Sequence, residues 1–323
     1  MSAPEPALSV ILTTVGGWAP VARTLGYLGE QTVAGRIEVV LVLLDGTPPE
    51  DELPAAVSRL AGHQLVPAPD ARSVAQANTA GARRARAPIV ALGEDHAFPE
   101  PGWAEALLAR HEGPWAVVGP VVRNANPDTL VSWADFVLSY GPFGTGQPGG
   151  DVAAAPGHNS SYKRAVLERE GDGLEEAFAA EWVFHMRLRD EGERVYVEPR
   201  AVLRHVNFSR LRPFLVHTFR GGRSHAASRA MGWSPPRRLV YTLGSAVLPA
   251  VRLFRLIRAL PGEQRRLLPA AAMPLVLAGL LVDAAGQASG FARGDPADVH
   301  GNLLELELER VRYVSAADAA ALW

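Results

Sequence analysis

Three ionisable side chains, Glu94, Asp95 and His96, stand in a row behind the apolar run "PIVAL" and ahead of Pro99 and Pro101. Carboxylates and imidazoles bind divalent cations, and the ends of strands in an α/β sheet are where binding sites form. Because side chains alternate between the two faces of an extended chain, Glu94 and His96 can share a face while Asp95 points away. The stretch therefore predicts a site and leaves the choice of ligands open. The alternative is a solvated acidic turn whose exit the prolines hold.

The composition restricts the classes of protein to which the chain can belong. Its 323 residues are 48% hydrophobic, enough for one large domain or a domain with an appendage. A net charge of −2 offers no basic field for a nucleic-acid partner. Without cysteine the chain has no disulfide, thiolate metal site or cysteine nucleophile, which fits a reducing compartment. The N-terminus lacks the pattern of a signal peptide, so we expect a cytoplasmic protein.

Strand-like and helix-like segments alternate up to about residue 122. The apolar runs are "LSVIL", "IEVVLVLL", "HQLV", "PIVAL" and "WAVVGPVV". This rhythm is typical of βαβ units, and it predicts an α/β fold with a mainly parallel sheet flanked by helices. The loops "TTVGG", "DGTPPE" and "GEDHAFPE" should then meet at the carboxyl edge of the sheet.

The chain changes character after residue 122. Residues 123–160 are rich in Gly, Pro and Asn, which predicts a long loop or lid. Helices are expected over "SYKRAVLERE" and "EEAFAAEWVFHMRLRDEG", followed by a strand in "RVYVEPRAVLRHVNF".

Two apolar segments, residues 239–260 and 267–282, mark the C-terminal part. Neither presents about 20 uninterrupted apolar residues, the length of an upright membrane span. The arginines that flank them favour an interfacial hairpin on an anionic bilayer surface. These arginines are Arg237, Arg238, Arg265 and Arg266. The alternatives are a buried helical pair and a dimer face.

Seven motifs follow one another along the chain: "LSVILTT", "VVLVLLDGT", "SVAQANTAGARRARAPIVAL", "GEDHAFPEPGW", "PGHNSSYKR", "FAAEWVFHMRLRDEG" and "VEPRAVLRHVNF". In this order, over roughly residues 8–225, they resemble the family 2 glycosyltransferases. These are inverting enzymes of the GT-A fold that use nucleotide-diphosphate sugars. The resemblance implies a donor-binding half over 1–122, an acceptor-binding and catalytic half over 123–235, and an apolar helical appendage over 236–323.

The resemblance implies a set of donor contacts. In the family's paired-acid segment Leu44 replaces one acid and leaves Asp45. Arginines suit a pyrophosphate, and two flank the glycine pair of "FRGGRSHAASR", although Gly221 and Gly222 can instead mark a helix break. The donor residues so implied are Thr13, Thr14, Asp45, Asn78, Asp95, Arg220 and Arg223.

The stretch "GEDHAFPEPGW" falls at the family's DXD metal motif. Glu94 and His96 replace the family's aspartates, and Asp95 is the unaltered acid. His205 stands where relatives complete the metal site with a histidine. The implied cofactor is Mn²⁺ or Mg²⁺, which would neutralise the departing pyrophosphate, and an imidazole ligand favours Mn²⁺.

Glu181 occupies the position of the family's catalytic acid, and Ala180 replaces its companion. Inverting transfer needs one base to take the proton of the acceptor hydroxyl. The neighbouring Phe178, Trp182 and Phe184 should desolvate this carboxyl and raise its pKa. A solvated helix acid is the alternative.

"PGHNSSYKR" resembles the family's acceptor-side segment, which implies His158, Asn159 and Trp182 as acceptor contacts. Asn159 or Ser160 can alternatively cap the following helix.

The resemblance as a whole implies a metal-dependent, inverting glycosyltransferase at the inner face of the cell membrane. Its acceptor would be a glycan, a lipid-linked acceptor or another hydroxyl compound. The chain has no Q-x-x-R-W motif, which favours single additions over polymerisation.

Three other functions are alternatives to a glycosyltransferase. The departures in the active-site segments leave room for a non-catalytic binding or scaffold protein. A nucleotidyltransferase is less favoured, because "TTVGGWAP" has no nearby basic residue, and a Ser-His-Asp hydrolase lacks its G-x-S-x-G turn.

Overall fold

The computed structural model describes residues 5–46, 52–293 and 303–322 and divides the chain into two compact units. The first unit comprises Met1–Arg123 and Pro148–His205, and the second comprises Asn124–Gln147 and Val206–Trp323. The three functional parts expected over 1–122, 123–235 and 236–323 remain predictions. The loop "DGTPPE" lies partly outside the described residues.

The strands form one sheet in the order β3-β2-β1-β4-β8-β6-β9-β5, with β7 paired to β9. Their bounds are β1 Leu8–Thr14, β2 Ile37–Leu43, β3 Gly62–Pro67, β4 Ile89–Leu92, β5 Ala97–Pro99, β6 Val117–Asn124, β7 Gly150–Asp151, β8 Ser161–Lys163 and β9 Val195–His205.

The direction of the strands divides the sheet. β1 pairs in parallel with β2 and β4, and β2 with β3, as the alternating pattern predicts. β8 runs antiparallel to β4 and β6, while β5 and β7 run antiparallel to β9. The sheet is therefore mixed: β3, β2, β1 and β4 form its parallel part, and the short strands β5, β7 and β8 pair antiparallel with their neighbours.

Helices precede or follow the strands and build the second unit. Their bounds are α1 Ala22–Gly29, α2 Val74–Ala82, α3 Trp103–His111, α4 Leu130–Tyr140, α5 Arg164–Glu170, α6 Leu174–Ala179, α7 Glu181–Asp190, α8 Leu211–Arg229, α9 Pro235–Gly244, α10 Leu248–Ala259, α11 Gly262–Leu267, α12 Met273–Arg293 and α13 Ala316–Leu322.

Both faces of the parallel strands β1, β2 and β4 are buried. Along β1, Val10 and Leu12 belong to one apolar cluster, while Ile11 between them belongs to the other. β2 is buried at every position, as expected for a strand covered on both sides. These strands have no solvated face, and their carboxyl ends lie at one edge of the sheet.

Three local predictions are corrected. The long loop expected over 123–160 contains α4, a helix with an apolar face that includes Trp133 and Phe136 and begins at a cap from Thr129. The helix expected over "SYKRAVLERE" starts only at Arg164, because Ser161–Lys163 form β8 between β4 and β6. The helix expected over "EEAFAAEWVFHMRLRDEG" is broken at Ala180 (φ −146°, ψ 63°), so that α7 begins at Glu181.

In the second unit, α12 packs closely against α8. A Cβ atom added at Gly286 would lie 2.2 Å from the carbonyl oxygen of Phe219, and one at Gly290 would lie 2.3 Å from that of Arg223. Small residues on one helix thus let the two backbones approach. Gly221 and Gly222 do not break α8, which runs from Leu211 to Arg229, so that expectation is wrong.

The C-terminal helices are longer than the sequence pattern indicates. Within the described residues, Pro235–Ala259 and Ala270–Arg293 are long and apolar enough to cross a membrane by length and composition. The prediction that neither apolar stretch reaches the length of a span is therefore wrong, because continuous helix extends both stretches beyond their apolar runs. Core helices of soluble proteins can have the same length and apolar composition.

Candidate active site

A carboxylate and two imidazoles converge behind the fourth strand. One ligand atom from each of Glu94, His96 and His205 lies within 4.8 Å of the others. The Nε2 atom of His96 is 3.8 Å from Oε1 of Glu94, and Nε2 of His205 is 3.4 Å from Oε2 of Glu94. Ligands of one transition-metal ion lie at most about 4.2 Å apart, so this donor set fits a divalent cation after small side-chain movements.

The sheet brings these residues together. Glu94 and His96 follow β4, and His205 is the last residue of β9. The antiparallel pairing of β5 with β9 sets Ala97 opposite His205, so the neighbouring imidazole of His96 lies 4.9 Å from that of His205 between ring centroids.

Asp95 has a different position from its neighbours. Its Oδ1 lies 2.5 Å from Nδ1 of His96. This contact puts the ring proton of His96 on Nδ1, so Nε2, which faces Glu94, carries the free lone pair. The hydroxyl of Thr24 donates to the carbonyl oxygens of Glu94 and Asp95, each at 3.1 Å. Asp95 thus orients a candidate ligand, and α1 holds the turn.

Two consecutive residues connect this cluster to a second carboxylate. The Asn159 amide donates to Oε2 of Glu94 at 2.7 Å. The backbone N–H of His158 donates to Oε2 of Glu181 at 2.6 Å. His158 makes this bond with a left-handed backbone (φ 61°), a conformation that costs free energy in a non-glycine residue. Residues 158–159 therefore connect Glu94, one of the candidate metal ligands, and Glu181 to the same short segment.

Glu181 is the first residue of α7, and its side chain is buried. Its Oε1 accepts a hydrogen bond from the Tyr162 hydroxyl at 3.1 Å. Gly157 packs against its Oε2, to which an added Cβ atom would approach within 2.8 Å. Within the described part of the chain, the polar contacts of this carboxylate are with His158 and Tyr162.

The surroundings shift the pKa values of the two carboxyls in opposite directions. Burial raises the pKa of Glu181, although hydrogen bonds from His158 and Tyr162 oppose the shift. Burial alone would also raise the pKa of Glu94, but His96 and His205 hold that pKa well below its usual range. One carboxylate is therefore suited to take up a proton and the other to stay ionised.

Tyr162 and His185 extend the network behind Glu181. The Tyr162 hydroxyl lies 2.9 Å from Nε2 of His185, and the backbone N–H of Ala155 donates to Nδ1 of His185 at 3.3 Å. Both side chains are fully buried, and the Tyr162 ring stacks on Phe184. Burial lowers the pKa of His185 to about 3, so the ring stays neutral near pH 7.

Two of the three aromatic side chains that are predicted to desolvate Glu181 are buried. Phe178 and Phe184 are buried, as expected of side chains that desolvate a carboxyl. Trp182 is 47% exposed and therefore does not enclose Glu181. It lies one turn before Met186, which is also exposed, so α7 presents an apolar outer face there.

Asn159 and Ser160 do not cap a helix. Lys163 precedes α5, and no side chain caps that end. Asn159 instead donates to Glu94, and the Ser160 hydroxyl donates to the carbonyl of Pro156. The capping alternative is therefore wrong.

The donor residues expected at the first strand lie at its carboxyl end. The Thr14 hydroxyl donates to the carbonyl of Gly17 at 2.9 Å, and Asp45 accepts from the backbone N–H of Gly16 at 3.2 Å. Thr13 is buried, and its hydroxyl has no hydrogen-bond partner among the described residues. Asn78 is buried on α2. Thr14 and Asp45 thus shape one loop beside β1.

Arg220 and Arg223 lie on α8, which belongs to the second unit. Arg223 is adjacent to the close contact between α8 and α12. Their assignment to a pyrophosphate stays a prediction.

Sequence reasoning missed four residues of this site: Thr24, Gly157, Tyr162 and His185. Tyr162 and Gly157 stand inside the quoted "PGHNSSYKR", and His185 stands four residues after Glu181 in a helical segment, the spacing of one helical face. The four-residue spacing between Glu181 and His185 is the sequence signal that indicates their shared helical face.

Comparisons with known proteins identify relatives of the chain in sequence and in fold. Residues 9–171, half of the chain, match the sequence profile of Glycosyl transferase family 2. Validoxylamine A glucosyltransferase from Streptomyces hygroscopicus subsp. limoneus is 33% identical over 111 residues, which cover 34% of this chain and 24% of that protein. The present chain thus matches about a quarter of that relative's length.

A solved mannosyltransferase from Pyrobaculum calidifontis, in complex with GDP-Man and Mn²⁺, has a similar fold. It superposes with a TM-score of 0.51 at 20% sequence identity, covering 88% of this chain and 87% of that one. The predicted α/β fold of the GT-A class, with C-terminal helices, is confirmed.

Proposed function

The chain belongs to Glycosyl transferase family 2, and on that premise we propose that it is a metal-dependent, inverting glycosyltransferase. It transfers a single sugar from a nucleoside-diphosphate donor to an acceptor hydroxyl in glycan or glycolipid synthesis. One observation carries the proposal. Consecutive residues His158 and Asn159 connect a buried carboxylate to a cluster of two imidazoles and a carboxylate.

Glu94, His96 and His205 would hold the cation. A bound Mn²⁺ or Mg²⁺ would neutralise the charge that develops on the departing diphosphate. The donor set of two imidazole nitrogens and one carboxylate favours Mn²⁺. Mn²⁺ and GDP-Man in the Pyrobaculum mannosyltransferase support this choice by analogy of fold.

Glu181 would be the base. Its burial raises the pKa, which makes the ionised carboxylate a stronger proton acceptor than a solvated one. The His158 amide fixes one oxygen, so the carboxylate needs little rearrangement when the acceptor hydroxyl arrives. A single carboxylate base supports direct displacement, and hence inversion at the anomeric carbon.

The residues that would contact the donor nucleotide precede Glu94 in the chain, and those that would contact the acceptor follow it. Thr13, Thr14, Asp45 and Asn78 would contact the nucleotide, while His158, Asn159 and Trp182 would contact the acceptor. Asn159 also holds Glu94, so we expect it to connect acceptor binding with the cation site. Arg220 and Arg223 are kept as candidates for the diphosphate.

The protein would act at the inner face of the cell membrane. The continuous segment Pro235–Ala259 is mostly exposed, and the exposed apolar side chains recur every three or four residues along it. These side chains are Val240, Leu243, Val247, Val251, Phe254 and Ile257. Residues 235–259 contain five arginines and no acid, a charge that complements anionic lipid head groups.

The rival functions are less well supported. A non-catalytic scaffold has no need to place Glu181 beside the candidate metal ligands. The nucleotidyltransferase alternative needs basic residues near the first loop, and "TTVGGWAP" has none.

The test is release of nucleoside diphosphate from a panel of UDP-, GDP- and dTDP-sugars with Mn²⁺. We expect Glu181→Gln to lower the rate by about 10²- to 10⁴-fold, because it removes the base while preserving shape. The matched control, Glu175→Gln, changes an exposed acid on α6 and should leave the rate unchanged. Full activity in Glu181→Gln would contradict the assignment of the base.

A further inference from the structure

The pair Tyr162 and His185 lies behind Glu181 with hydrogen-bond donors and acceptors in a fixed order. An ionised carboxylate only accepts hydrogen bonds, so the Tyr162 hydroxyl must donate its single proton to Oε1 of Glu181. The Tyr162 oxygen is then left to accept, and the atom facing it is Nε2 of His185 at 2.9 Å. His185 must therefore carry its proton on Nε2.

The backbone independently sets the same tautomer. The N–H of Ala155 points at Nδ1 of His185, which can accept this bond only when it is unprotonated. Complete burial keeps the ring neutral, since a charged imidazole would place a second proton against the Ala155 N–H. Donation runs in one direction, from Ala155 through His185 and Tyr162 to Glu181.

We infer that Tyr162 and His185 are positioning residues for Glu181: they hold its Oε1 on the buried side and leave Oε2, beside His158, as the oxygen that receives the acceptor proton. This inference rests on the proposed function. The His158 side chain is 36% exposed, so the Oε2 side of the carboxylate is the side that a substrate can reach. The hydrogen bond from Tyr162 also stabilises the ionised form of Glu181, and it limits the rise in the pKa of Glu181 that burial causes.

The kinetic test is the pH profile of kcat/KM for nucleoside diphosphate release. Tyr162→Phe removes a hydrogen bond that favours ionised Glu181, so the acidic limb should move up by about one pH unit. Tyr196→Phe removes a hydroxyl elsewhere on the sheet and should leave the limb in place. His185→Gln keeps an N–H donor and should lie near wild type, whereas His185→Leu should shift the limb toward that of Tyr162→Phe.

The outcomes separate the two proposals. If Glu181→Gln keeps full activity, the proposed base and this inference both fall. If Glu181→Gln loses activity while Tyr162→Phe has the wild-type acidic limb, the proposed function stands and the inference is overturned.

A second measurement needs no turnover. In protein labelled with ¹⁵N-histidine, His185, assigned by its loss in His185→Gln, should be the neutral Nε2–H tautomer from pH 5 to 8. Its proton resonance should move in Glu181→Gln, because the carboxylate polarises Tyr162, and should not move in Glu175→Gln. An Nδ1–H tautomer, or no response to Glu181→Gln, overturns the inference.

Discussion

At the scale of single residues, a turn and a strand register explain how an altered motif can still bring candidate metal ligands together. Glu94 and His96 reach the same point across a turn, in which the Ala97 N–H donates to the Glu94 carbonyl at 3.4 Å, while Asp95 lies against His96. His205 joins them through the β5–β9 register, which no local sequence pattern shows. The sequence named four candidate ligands, Asp95 among them, and in the structure the other three, Glu94, His96 and His205, lie close together.

Gly157 is predicted to be essential for the geometry of Glu181. In Gly157→Ala the new Cβ would lie 2.8 Å from Oε2, so the carboxylate must rotate or the loop must move. We expect kcat for nucleoside diphosphate release to fall at least tenfold while nucleotide affinity, measured by calorimetry, stays within twofold.

The matched control is Gly26→Ala, where an added Cβ meets nothing within 4 Å. Wild-type kcat in Gly157→Ala would show that the contact with Glu181 does not position the base.

At the scale of elements, long buried strands were predictable and short ones were not. β1 and β2 have seven residues each, most of them apolar, and their pattern predicts them directly. β5, β7 and β8 have only two or three residues, too few to show a period. The break before α7 falls at Ala180, a residue type that favours helix, so only tertiary packing explains it.

The α8–α12 contact gives a prediction on stability. Gly290→Ala places a Cβ 2.3 Å from the carbonyl of Arg223, which forces the helices apart and should cost about 1–3 kcal/mol of unfolding free energy. Denaturant unfolding measures this cost.

Gly221→Ala on α8 is the control, since its Cβ would meet nothing within 4 Å. That change should be neutral or stabilise the protein by up to about 1 kcal/mol. Equal stability of Gly290→Ala and wild type would contradict the close packing.

At the scale of the whole molecule, the exposed apolar stripe on α9 and α10 predicts binding to anionic bilayers. We expect the protein to sediment with vesicles that contain phosphatidylglycerol and to bind phosphatidylcholine vesicles more weakly. Added salt should reduce the binding, because arginines supply part of the attraction.

The double variant Leu243→Glu, Val247→Glu should lower vesicle affinity at least tenfold, since both side chains are more than 60% exposed and would otherwise enter the lipid. Leu53→Glu, at an exposed leucine of the first unit, is the control. Binding that is equal in the double variant and wild type would exclude this stripe as the membrane surface.

The most direct test of the account is calorimetry of UDP, GDP and dTDP binding with and without Mn²⁺. The wild type should bind at least one nucleotide in a Mn²⁺-dependent manner, and the double variant Glu94→Ala, His96→Ala should lose that dependence. Glu112→Ala, at an exposed acid after α3, should bind as the wild type does. Folded wild-type protein that binds none of the three nucleotides, or a double variant with unchanged Mn²⁺-dependent binding, would contradict a donor site built on this cluster.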